Sequence, residues 1–100
     1  MELASEITPE ELGDAYVVDI RPKLEVKGEP PQREVPIVAR ESKLPEIAER
    51  LDGKPLVLMC RTGRRSLEAT MRLRAAGHAN VCSLKGGVRA FNAYLTDQGE

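Results

Sequence analysis

The run Pro55-Leu56-Val57-Leu58-Met59-Cys60 constrains the fold more than any other stretch of the chain. It shows no alternation of apolar and polar residues, so a strand built from it must be covered on both faces. The centre of a parallel sheet, with helices packed on each side, meets that condition. The run ends in Cys60 and gives way at once to Arg61-Thr62-Gly63-Arg64-Arg65, after which Ser66 opens a helical pattern. A sulfur therefore stands at the end of a strand, in a turn, at the mouth of a helix.

The flanking sequence completes an α/β plan with a mainly parallel sheet. Thr8-Pro9-Glu10-Glu11 is predicted to start a helix, with Thr8 as cap, Pro9 in the first position and Glu11 closing a capping box. Ile7 and Leu12 are spaced as a hydrophobic staple, and Gly13 ends the helix after little more than a turn. Tyr16 to Arg21 reads as a short β-branched strand stopped by Pro22. Asp19 and Arg21 sit two apart and share one face of it, where a strand end can meet a binding crevice. Residues 22 to 34 read mostly as loop, and Val35 to Ala39 as a short edge strand. Leu44, Ile47, Ala48 and Leu51 have helical spacing, with Pro45 in the first turn and Asp52-Gly53 at the close.

After the cysteine loop, a helix is predicted from about Ser66 to Ala76, with Gly77 at its C′ position. Ala69, Leu73 and Ala76 form a close-packing stripe, and Leu67 and Met71 widen the apolar surface. Glu68 and Arg72 are spaced as a solvated i, i+4 pair. Asn80 to Leu84 is expected as another strand, Gly86-Gly87 as a tight turn and Val88 to Leu95 as a last helix. Thr96 to Glu100 reads as a frayed end.

Length and composition bound what such a chain does. One hundred residues suit a single domain spanning 1–100, with one core. The net charge of −1 gives no overall pull toward nucleic acid or an anionic membrane, so anion binding must be local. No apolar run reaches the roughly 20 residues of a membrane span. The acidic start, Met1-Glu2-Leu3-Ala4-Ser5-Glu6, is unlike a signal peptide, and the expected location is the cytoplasm. Cys60 and Cys82 are the only cysteines and His78 the only histidine. That inventory fits neither a disulfide framework nor a zinc site, and no metal or cofactor is expected.

The loop itself points to thiolate chemistry. If residues 61 to 66 curl into a nest, their N–H groups converge on one point, where the helix adds positive potential. Arg61, Arg64 and Arg65 add formal charge, and Gly63 supplies the conformational freedom to curl. All of this favours thiolate, so the pKa of Cys60 is expected below the reference of about 8.5. The plainer reading is a small buried hydrophobe ending a strand.

Cys60-Arg61-Thr62-Gly63-Arg64-Arg65-Ser66 resembles the active-site loop of the rhodanese (thiosulfate sulfurtransferase-like) family, and the resemblance extends over most of the chain. Val18-Asp19-Ile20-Arg21 is similar to the family's Asp-x-Arg strand. Ala76-Gly77-His78-Ala79-Asn80-Val81 and Leu84-Lys85-Gly86-Gly87 are similar to its C-terminal segments, and Ala90-Phe91 stands where an Ala-Trp pair is common. The resemblance implies a rhodanese-like fold, a small mainly parallel sheet flanked by helices. It implies a sulfurtransferase in which Cys60 takes the sulfane sulfur of a donor such as thiosulfate or a persulfide. The sulfur then passes to an acceptor thiol, cyanide or a sulfur-relay protein. Arg61, Thr62, Gly63, Arg64 and Arg65 would bind the anionic donor, and Asp19, Arg21 and Ser66 would support the loop.

Two other functions stay open at this level. One is a carrier or docking module that receives sulfur and turns over small donors poorly. The other is a Cys-based phosphatase or arsenate reductase. The related phosphatases use Cys-x5-Arg, which would put arginine at position 66, where this chain has Ser66. Arg65 comes one place early and gives a six-residue loop. The segment Gly28-Glu29-Pro30-Pro31-Gln32-Arg33-Glu34 replaces the Gly-His-Ile-Pro-Gly-Ala common in rhodanese domains, without its histidine or second glycine. Thr62 stands where the two-domain mammalian enzymes carry lysine. Asp19 and Arg21 read as support from beneath the loop or as substrate contacts. Cys82 reads as a packed thiol or as a resolving cysteine, and His78 as a residue past a helix end that caps it or faces water.

Overall fold

The computed structural model describes residues 4–98. Four parallel strands, β1 (Glu6–Ile7), β2 (Tyr16–Asp19), β3 (Leu56–Met59) and β4 (Val81–Leu84), form one sheet in the order β1-β4-β3-β2. Four helices accompany them: α1 (Lys23–Gly28), α2 (Leu44–Arg50), α3 (Arg64–Ala75) and α4 (Gly87–Gln98). The α/β, mainly parallel plan expected from the sequence is the one observed.

β3 lies between β2 and β4, with all four of its residues fully buried. Its alternation splits the core in two. Val57 and Met59 pack with Cys82, Leu84, Val88 and Phe91 on one face. Leu56 and Leu58 pack with Leu44, Ala48, Ala69 and Leu73 on the other. A continuous apolar run is needed because each face has its own cluster.

At the N-terminus, the Glu11 carboxylate accepts the Thr8 N–H at 2.8 Å, as the capping box requires. Ile7 and Leu12 are both buried in the first cluster. The turn they frame is a single 3-10 turn, Pro9–Glu11, and Ile7 also belongs to β1. That two-residue strand is too short to leave an alternating pattern. Val35–Ala39 supplies only one bridge to the sheet, Ile37 opposite Asp19, instead of a strand.

The larger difference lies in residues 22 to 34, where the expected loop contains α1. Pro22 is its N-cap, and Val26 is its one buried residue. Leu24 is 84% exposed, so no apolar periodicity betrays the helix.

α3 begins at Arg64, two residues before the expected start, with Gly63 as its cap. Its end is as expected: Gly77 has φ +104°, and the Gly77 and His78 N–H groups bond to Arg74 and Leu73 carbonyls. Ala69 and Leu73 are buried, but Ala76 is exposed, and Met71 is 54% exposed. The predicted Glu68–Arg72 pair is not formed. Arg72 instead makes a bidentate bond to Glu41 at 2.9 and 2.8 Å, and Glu68 lies 4.0 Å from Arg64. The planar fork of arginine favours the two-oxygen contact that Glu41 can offer. α4 continues to Gln98, past the expected end at Leu95. The last two residues of the predicted frayed end, and the acidic start as far as Leu3, lie outside the described residues.

Candidate active site

Because parallel strands all end on the same side, Cys60, Asp19 and the turn after β4 meet at the C-terminal edge of the sheet. Cys60 follows β3 directly and is 1% exposed. Its Sγ accepts the Gly63 N–H at 3.1 Å and the Ser66 N–H at 3.4 Å, with the Ser66 Oγ also at 3.4 Å. The Ser66 N–H is one of the first-turn donors that a helix leaves without an internal partner. The curled loop and the helix start thus supply the convergent donors that the sequence predicts.

Two glycines make this geometry possible. Gly63 has φ +99°, and a Cβ there would crowd the Gly86 nitrogen and Leu84 carbonyl at 3.1 and 3.2 Å. Gly87 has φ +63°, and a Cβ would lie 2.4 Å from the Cys60 carbonyl oxygen. That close approach lets the Val88 N–H bond the same carbonyl at 2.8 Å, pinning the start of α4 to the cysteine backbone.

Burial alone pushes the Cys60 thiol up. The Ser66 hydroxyl and the N–H groups of Ser66, Gly63 and Thr62 outweigh it and hold the thiol below its ordinary value. The sequence assigned part of this effect to loop arginines. Each of them instead lies near a glutamate. Arg65 Nη1 bonds Glu25 at 3.0 Å, and its Nη2 bonds the other carboxylate oxygen. Arg61 lies 3.8 Å from Glu29, and Arg64 4.0 Å from Glu68. Arg65 still feels the Cys60 charge, but its guanidinium is aimed at α1. Thr62 is exposed on the rim.

Asp19 ends β2 and Arg21 lies two residues on, past the strand instead of within it as expected, and both are fully buried. Arg21 Nε and Nη2 donate to the two Asp19 oxygens at 2.9 and 2.7 Å, and the Arg21 N–H adds a third bond at 3.1 Å. The Asp19 hydrogen bond raises the Arg21 pKa against the opposing effect of burial. These bonds close on each other, and none among the described residues reaches Cys60–Ser66. Arg21 Nη1 has no partner among the described residues.

Sequence reasoning missed three contributors. Ser83, fully buried on β4, lies 2.6 Å from Ser66 through their hydroxyls. It faces the α3 side because Val81 does, and a polar residue at a core-facing strand position was the available signal. Glu25 and Glu29 could not be placed until α1 was known. Cys82 faces the opposite side of the sheet in an apolar cluster, where burial raises its pKa to about 11. That position is the packed thiol of the sequence reading. His78 is half-buried just past the end of α3.

Among the described residues, no cluster of three or more His, Cys, Asp or Glu could hold a metal. No described helix is long and apolar enough to cross a membrane.

A strand-end cysteine in a curled six-residue loop, on a small parallel sheet, is the arrangement the family resemblance implied. A family model for the Rhodanese-like domain matches residues 2–94. The chain belongs to the rhodanese-like family. A curated relative, the adenylyltransferase and sulfurtransferase MOCS3-2 of Zea mays, is 32% identical over 81 residues, covering 75% of this chain. This chain spans only 17% of that relative's length. The solution structure of protein hp1203 from Helicobacter pylori 26695 superposes with a TM-score of 0.71 at 29% identity, covering 90% of this chain and 84% of that one. The rhodanese homolog TT1651 from the extremely thermophilic bacterium Thermus thermophilus gives 0.59 at 30% identity, covering 86% and 99%.

Proposed function

We propose that this domain transfers sulfane sulfur through a persulfide on Cys60. The convergence of the Gly63 and Ser66 N–H groups on Cys60 Sγ, with the Ser66 hydroxyl oxygen accepting from the thiol and free to donate once the proton has left, carries the reading. These donors stabilise a thiolate, and thiolate is the attacking form. With thiosulfate, the Cys60 thiolate attacks the outer sulfur. The S–S bond breaks, and sulfite leaves with its electron pair. An acceptor thiolate or cyanide then attacks the outer sulfur of the persulfide and releases Cys60 as thiolate. The loop N–H groups stabilise negative charge on sulfur through both steps, and no general base is needed. Arg61, Arg64 and Arg65 place positive charge around the loop for a donor to meet, Thr62 and Gly63 belong to the same turn, Ser66 holds the loop at the start of α3, and the closed Asp19–Arg21 pair makes the end of β2 rigid beside it. A reducing compartment such as the cytoplasm keeps both cysteines as thiols.

A second reading has one observation in its favour. The loop arginines already lie close to Glu25, Glu29 and Glu68, so a small anion must compete with carboxylates. A sulfur carrier fed by a partner protein needs no free anion site. Phosphate or arsenate chemistry is disfavoured, because Ser66 stands at the position of the Cys-x5-Arg arginine and Arg65 is turned to Glu25. The deciding experiment is thiosulfate-dependent thiocyanate formation from cyanide, with intact mass read in parallel. Turnover that Cys60→Ser abolishes and Cys82→Ser retains supports the enzyme. One added sulfur without turnover supports the carrier. No added sulfur from thiosulfate or any persulfide contradicts both.

A further inference from the structure

The glutamates beside the loop have a consequence for donor choice. Glu25 and Glu29 are four positions apart, and each lies beside a loop arginine, Arg65 and Arg61 respectively. Glu25 makes a two-oxygen contact with Arg65, and its pKa is lowered by that hydrogen bond and by the nearby charges of Arg65, Arg21 and Arg61. Glu29 stands between Arg61 at 3.8 Å and Arg89 at 3.3 Å. The buried Arg21 feels both glutamates, although its own fork is taken by Asp19.

The rim is therefore close to neutral. Four guanidinium groups meet three carboxylates, which leaves one positive charge in excess. The Cys60 thiolate cancels it. Arg64 and Glu68 form a neutral pair and do not change the balance. A loop with three arginines looks in sequence like a dianion trap, but as folded it offers a dianion little net attraction.

We infer that Glu25 and Glu29 suppress capture of the thiosulfate dianion, so that an organic persulfide with no anionic group beside its sulfur is the better donor. In that reaction the Cys60 thiolate attacks the outer sulfur of R–S–SH. The S–S bond breaks, RS− leaves with the electron pair, and Cys60 holds S–SH. The two rim carboxylates offset the attraction of Arg61, Arg65 and Arg89 for the thiosulfate dianion, while a cationic group on R meets no net repulsion from a near-neutral rim. The inference rests on Cys60 being the sulfur carrier.

The test measures Cys60 persulfide formation by intact mass, over a range of concentrations of two donors. Thiosulfate is the dianion, and cysteamine persulfide carries an ammonium group. Glu25→Gln/Glu29→Gln should load from thiosulfate at about tenfold lower concentration than wild type, with no gain from cysteamine persulfide. Glu29→Gln alone, at a residue beyond the end of α1, should give part of that change. Glu25→Asp/Glu29→Asp keeps the charge and should keep the wild-type preference. An unchanged preference in the folded Gln variants overturns the donor inference while leaving Cys60 transfer standing. Failure of wild type to load from either donor overturns both.

Discussion

Cys60 just past β3 and Cys82 within the adjacent strand β4 are both buried, and they are opposite in chemistry. Cys60 ends β3 on the α3 side, where N–H and hydroxyl donors converge and lower its pKa. Cys82 sits inside β4 among Val57, Leu84, Val88 and Phe91, where nothing but Arg74 offsets burial and its pKa rises to about 11. Burial thus does not decide whether a thiol is reactive. The donors that the backbone aims at it do.

The contrast can be broken most severely at Gly87. Gly87→Ala should destabilise the protein by about 4 kcal/mol, because the new Cβ meets the Cys60 carbonyl in a left-handed backbone. Chemical denaturation measures this. The surviving folded fraction should alkylate at Cys60 no faster than an ordinary buried thiol.

Alkaline pH probes the other cysteine. Its pKa is raised from 9.0 to about 11 by folding, so the unfolded chain ionises first as pH rises. Stability is full below pH 9 and falls between 9 and 11, by about 3 kcal/mol from this group. Cys82→Val should remove that portion of the alkaline loss in denaturation curves recorded across the window. For Cys60 the sign is reversed. Its lowered pKa adds stability above the ordinary thiol value, and that contribution is lost as pH falls through its folded value.

A smaller change sharpens the comparison at a single hydroxyl. Ser66→Ala removes the Oγ 3.4 Å from Cys60 Sγ. Iodoacetamide alkylation of Cys60 at neutral pH should slow about tenfold, the low end of the roughly 1.5–3 kcal/mol of one hydrogen bond to a charged group. The midpoint of its pH profile should move up, and Cys82 alkylation should not change.

These two environments were unequally legible in the sequence. The unbroken run from Leu56 to Met59 announced a central strand, and Cys60-Arg61-Thr62-Gly63 announced a curled loop, because those properties are local. α1 was not legible, since a six-residue helix burying only Val26 leaves no periodic pattern. The charge state of the rim depended on α1, so the arginines were read as free when Glu25 and Glu29 were already beside them. Ser83 reaches Ser66 only through the register that sets Leu58 against Ser83, which no local pattern specifies. Asp19 and Arg21 stood out as charges beside a short apolar strand, but that the strand stops at Asp19 and that the two bond to each other required coordinates.

The most direct test is to load the protein from thiosulfate and from cysteamine persulfide, then map the added sulfur by peptide mass spectrometry. The account predicts one sulfur on Cys60 and none on Cys82. Sulfur on Cys82, or on neither cysteine with both donors, would contradict it.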